Sequence, residues 1–131
     1  MKRIATPRRA KKRLKSSQDI ADFAVGVLED LKGEKIEVLD VRHLTSIMDI
    51  MIVASGRSDR HVRALAETLI ERSRERGIAL LGSEGQEGGE WVLVDLADVV
   101  VHVMLPRART FYEIEKLWDI SAAGDSEAAE R

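Results

Sequence analysis

The feature that most constrains the fold is the run IMDIMIVA at residues 47–54, apolar throughout except at Asp49. It is short and rich in Ile and Val. A strand with almost no polar position must be covered on both faces, so this run predicts a central strand with structure packed on either side. The rest of the chain supplies candidates for that cover. Ile20, Phe23, Ala24, Val27, Leu28 and Leu31 recur at helical spacing after Ser16 or Ser17, either of which suits an N-cap. Gly33 fits the C′ position that ends such a helix. Val62, Leu65, Ala66, Leu69 and Ile70 form a second apolar helix face, capped by Ser58 or Asp59 and ended by Gly77. On its solvated side Arg63 and Glu67 stand four apart, a spacing that favours an ion pair.

Strand patterns fill most of the remainder. KIEVLDV (35–41) and IALLG (78–82) are candidates. WVLVDL (91–96) and VVVHVML (99–105) form a hairpin, and Pro106 stops its second strand. FYEIEKLWDI (111–120) predicts a terminal helix with Phe111, Ile114, Leu117 and Trp118 on one face. The order helix, strand, strand, helix, three strands, helix mixes hairpins with crossovers. It predicts an α/β domain with a mixed five-stranded sheet flanked by helices.

At 131 residues the chain suits one domain, placed at residues 16–120. It has no cysteine, which removes disulfide and thiol chemistry. No apolar run approaches the ~20 residues of a membrane helix, so no membrane role is expected. The net charge of −2 conceals an asymmetry: residues 1–15 hold 8 of the 21 basic groups and no acid, leaving 13 bases against 23 acids, or −10, elsewhere. Such a block of like charge resists folding, so a disordered basic tail is expected there. The tail suits a soluble extension, an organelle transit segment or an arm on nucleic acid phosphates. SAAGDSEAAER (121–131) is small and polar, and is expected to be a disordered C-terminal tail.

Few residues carry a pattern suited to catalysis. Asp95 and Asp98 bracket a turn, and paired carboxylates can hold Mg²⁺. Acids sharing a strand face stand two apart, however, and these stand three apart, which makes them acceptors of turn hydrogen bonds. His102 points to the face opposite Val101 and Val103 and is expected to be a satisfied structural group. His43 and His61 lack zinc-ligand spacing, and neither a metal nor another cofactor is expected. SGRSDRHV (55–62) lacks the glycines and lysine of a phosphate loop. It serves as a helix start that displays Arg57, Arg60 and His61, which suit contacts with an anion. Trp91 follows the Gly-rich acidic loop 83–90 and is expected to be partly exposed. Large aromatic side chains of this kind are favoured as interface anchors.

Three segments together, DIMIVASGRSDRHVRALAE, SEGQEGGEWVLVDLADVVVHVMLP and RTFYEIEKLW, resemble the ribosomal silencing factor, or Iojap-related, family over roughly residues 17–119. The resemblance implies a nucleotidyltransferase-like core without catalytic acids, and a binding protein rather than an enzyme. It implies docking on the fourteenth protein of the large ribosomal subunit, which blocks joining of the small subunit and lowers translation when nutrients are scarce. Relatives in organelles act in large-subunit assembly, and free members commonly form homodimers. Trp91, Asp95, Leu96 and Asp98 match the part of the family pattern that resembles the docking surface. His102, Met104, Tyr112, Glu115, Leu117 and Trp118 match its second half. Where the family usually has glycine before the second aspartate, this chain has Ala97. The resemblance implies a bacterial cytoplasmic protein, or an organellar one if residues 1–15 are a transit segment. The competing readings are a nucleotidyltransferase-like enzyme with a pocket near Ser55–Arg60, and an RNA chaperone driven by the basic arm.

Overall fold

The computed structural model describes residues 16–112. In chain order the elements are α1 (Ser17–Asp30), β1 (Glu34–Asp40), β2 (Ile50–Ser55), α2 (Asp59–Glu75), β3 (Gly82–Glu84), β4 (Trp91–Asp95), β5 (Val99–Met104) and α3 (Pro106–Tyr112). The strands form one mixed sheet in the order β1-β2-β5-β4-β3. Only β2 and β5 are parallel; the other three pairings are antiparallel. This is the α/β architecture that the periodicities predict.

Every residue of β2 is buried, as its composition requires. Alternation divides the sheet into two faces. Ile50, Ile52, Ala54, Val92, Val94, Val101 and Val103 face the helices, where Leu28, Leu65 and Leu69 meet them in the main core. Met51, Val53 and Met104 lie on the outer face, in a smaller apolar cluster with Ala108 of α3.

Local chemistry sets the helix ends. Ser16 caps α1 by accepting from the Asp19 N–H at 3.0 Å, and Ser58 caps α2 by accepting from the His61 N–H at 3.1 Å. The residue in the left-handed region after α1 is Lys32, with φ 67, not the expected Gly33. Gly33 comes one place later, where its N–H reaches the Leu28 carbonyl at 2.7 Å. A Cβ on Gly33 would stand 3.0 Å from that carbonyl oxygen, so glycine is selected there by contact rather than by φ. Gly77, with φ 75, does end α2 as expected.

Four further expectations need correction. IALLG does not pair as a strand: Ile78 turns into the core, and pairing with β4 begins only at Gly82. The final helix begins at Pro106 rather than residue 111, because proline is well placed in a first helical turn. Arg63 does not pair with Glu67; it turns back to Asp59, with Nη2–Oδ2 at 3.8 Å, and Nη1 donates to the Glu87 carbonyl. Leu96, nominated as a contact, is 1% exposed in the main core, because strand alternation points it away from Asp95.

Both sheet edges are irregular. β3 has three residues, and β1 carries a bulge between Glu34 and Glu37 that includes Lys35 at φ 50. The turn joining β4 to β5 holds Ala97 at φ 73, while Asp98 stays at negative φ. A hairpin turn with positive φ only at its first central residue selects glycine there. Ala97→Gly is therefore expected to raise stability by about 1 kcal/mol, as read from urea unfolding.

Candidate functional site

The β4–β5 hairpin builds an outer surface from residues two apart. Trp91 pairs with Met104, Leu93 with His102 and Asp95 with Val100, so all six side chains share one face. Trp91, Leu93 and Asp95 are half-buried, whereas Val92 and Val94 between them are buried on the helix side. β3 extends the same face, with Glu84 beside Leu93 and Gly82 beside Asp95. A groove of about 610 Å³ runs here, lined by Leu81, Ser83, Glu84, Trp91, Leu93 and Asp95. Both charged side chains in the lining are acidic.

The hairpin is held at both ends. Asp95 Oδ1 accepts from the Ala97 N–H at 2.9 Å, the turn role expected of it. The Asp98 carbonyl accepts from the N–H groups of Asp49 and Ile50 at 2.8 and 3.1 Å, which locks the turn to the start of β2. Asp49 in turn receives the Ser17 hydroxyl, linking the turn to α1. At the other end Gly85 occupies φ 96, and a Cβ there would stand 2.1 Å from the Trp91 carbonyl oxygen. Only glycine lets the loop pass this close to the strand that presents Trp91.

Of the nominated residues, Trp91, Asp95, His102 and Met104 lie on this one face. Met104 is fully buried, with 0% exposure, and supports the surface from below. Asp98 is exposed at the hairpin tip. Tyr112 ends α3. Trp118, Glu115 and Leu117 lie outside the described residues, as do both predicted tails. Leu93 was not nominated, although its position two from both Trp91 and Asp95 marks it. Arg109 was also missed. It is 7% exposed and its Nη1 donates to the Lys35 carbonyl at 2.6 Å and to Ser55 Oγ at 3.0 Å, tying α3 to β1 and β2.

His102 is the satisfied structural group its strand position suggested. It is 6% exposed, and its Nδ1 accepts from Trp91 Nε1–H at 3.0 Å. Burial pushes its imidazole from 6.5 down to about 4.

Arg57, Arg60 and His61 follow the end of β2, level with Trp91 and away from Asp95. Arg57 and Arg60 are exposed, and Arg57 Nε lies 3.8 Å from Glu34 Oε2. The half-buried His61 ring is engaged within the fold, its Nδ1 accepting from the Arg57 N–H at 2.9 Å and its Nε2 meeting the Leu31 carbonyl at 2.8 Å. The ring clamps the α2 start to the α1 end rather than being displayed. The enzyme reading needed the aspartates near this loop. Ser55 lies beside Met104 and Asp95 beside Val100, at opposite ends of β5. Four residues of strand separate those levels by about 13 Å.

The fold and this face together define an α/β domain with two long helices on one side of a mixed sheet, and α3 beside an aromatic, acid-flanked surface on the other. The profile of the family described as "Ribosomal silencing factor during starvation" matches residues 14–131, and the chain belongs to that family. A relative from Chromobacterium violaceum, called ribosomal silencing factor RsfS, is 54% identical over 101 residues, which is 77% of this chain and 83% of the relative. A crystal structure of a protein from the same organism superposes with a TM-score of 0.78 at 52% identity, covering 79% of this chain and 87% of that one. A mouse relative named mitochondrial assembly of ribosomal large subunit protein 1 is 31% identical over 107 residues, 79% of this chain and 47% of its own length.

The lowered His102 value has a pH consequence. Between 6.5 and about 4 the unfolded chain takes up this proton and the folded chain does not. Stability from this group is complete above 6.5 and falls as pH approaches 4, by on the order of 3 kcal/mol. Urea unfolding of the wild type and His102→Leu at pH 7 and pH 4.5 should show the extra loss only in the wild type.

Proposed function

We propose that this chain is a ribosomal silencing factor. It binds the large ribosomal subunit through that subunit's fourteenth protein and sterically blocks the small subunit, which represses translation. The observation that carries the reading is the row Trp91–Leu93–Asp95, half-exposed on a rigid outer strand of a chain that belongs to the silencing-factor family. A large aromatic flanked by an apolar and an acidic side chain suits a docking anchor. His102 and Met104 support that row, Asp98 extends it at the hairpin tip, and Tyr112 and Trp118 are further contacts on this reading.

The charge distribution fits a basic ribosomal target. Outside residues 1–15 the chain carries −10, which speeds encounter with a positively charged surface. Arg57 and Arg60, with the basic residues 1–15, supply contacts to rRNA phosphates on this reading. The protein acts without catalysis or a cofactor. In a bacterial cell its place is the cytoplasm; a transit role for residues 1–15 would move it to an organelle, where assembly of the large subunit becomes its task. The free protein is a homodimer on the same reading.

Co-sedimentation with isolated large subunits tests the docking. Wild type should co-sediment and should inhibit reassociation with small subunits, followed by light scattering. Loss of a central aromatic anchor costs ~2–4 kcal/mol, so Trp91→Ala should bind at least about 30-fold more weakly. A wild type that does not bind large subunits overturns the proposal. A chain beginning at Ser16 should bind more weakly and with a shallower salt dependence. Unchanged affinity and salt slope would remove the tail from the contact.

A further inference from the structure

One of the residues on the docking face has almost no surface to offer a partner. His102 is 6% exposed, yet it faces the same side of the sheet as Trp91, on the neighbouring strand. The two ring centroids are 5.9 Å apart with the planes tilted by 46°. The indole Nε1–H donates to His102 Nδ1 at 3.0 Å. An indole nitrogen is only ever a donor, so the partner nitrogen must hold a lone pair and the imidazole proton must sit on Nε2.

The surrounding face makes this polar pair costly. Val53 flanks His102 on β2, Leu93 lies beside it on β4, and Met51 and Met104 complete the cluster. An aliphatic residue would fill this position without the penalty of burying an imidazole. The same burial is what depresses the imidazole's proton affinity. What the histidine adds is direction: a hydrogen bond sets the tilt of the indole ring. Tryptophan has two side-chain torsions to freeze on binding, and freezing them beforehand lowers the cost of association.

We propose that His102 is a positioning residue for docking. It accepts the Trp91 indole N–H, holds the ring in its binding orientation, and does not itself touch the ribosomal partner. The inference rests on the docking reading of Trp91.

A double-mutant cycle tests it, read as affinity for isolated large subunits. His102→Leu should weaken binding about tenfold, the worth of one net hydrogen bond. Trp91→Phe, which removes the donor and leaves His102 intact, should cost at least as much. His102→Leu in the Trp91→Phe background should cost less than about twofold, because the coupling is already gone. His102→Asn, which keeps an acceptor near the Nδ1 position, should recover most of the affinity. The Trp91 indole N–H resonance, assigned in a Trp118→Phe background, should move upfield in His102→Leu and return in His102→Asn. Normal binding by Trp91→Phe or His102→Leu overturns the inference, as does an equal His102→Leu loss with or without the indole, or no recovery with asparagine. If His102→Leu does not fold, Trp91→Phe and His102→Asn still decide. Failure of the wild type to bind large subunits sinks the docking reading and this inference together, whereas wild-type binding with uncoupled variants sinks the inference alone.

Discussion

Six consecutive residues of β2 lie parallel to six of β5, and no residue of β2 reaches solvent. With water excluded, the backbone N–H and C=O groups of that pair must find partners in the sheet. β1 and β4 provide them on either side. A parallel neighbour also cannot be reached by a tight turn, so the chain between β2 and β5 must cross over, and α2 lies in that crossing. The apolar stripe of α2 then buries the inner face of the sheet together with α1. The hairpin that bears Trp91 is consequently joined, through β5, to the buried centre of the sheet.

That mounting suits the proposed anchor row. Val92, Val94 and Leu96 are fastened into the main core, which fixes the direction of Trp91, Leu93 and Asp95 between and beside them. On the same outer face, buried Arg109 ties α3 to β1 and β2 by bonding to the Lys35 carbonyl and Ser55. Docking elements set on a rigid scaffold lose little freedom on association.

Much of this architecture was legible in the residues. Apolar periodicity located both long helices and four of the five strands, and serine chemistry located both helix starts. The errors over IALLG and Gly33 depended on a partner distant in sequence and on a local dihedral. IALLG has a strand composition, but whether it pairs depends on where β4 lies. Gly33 was expected to supply positive φ, and Lys32 takes that conformation while Gly33 satisfies a close contact. The proposed docking row was partly visible, because Trp91 is one of two tryptophans and the family resemblance covers Asp95. Leu93 needed the alternation to be followed through, and Leu96, which the family resemblance covers, is turned into the core by that same alternation. The Trp91–His102 bond joins residues 11 apart on two strands, and only the register of β4 against β5 brings them together. Arg109 gave no sequence signal, since its partners belong to the first half of the chain.

The irregular margins of the sheet carry a further consequence. An open strand edge is a row of unused amides that any extended polypeptide can copy. Here β3 offers only three residues, and β1 is kinked at Lys35, whose carbonyl already receives Arg109. Glu34, Glu37 and Asp40 add charge along that rim. An extended polypeptide that met this protein would find little to hold along such blunted margins.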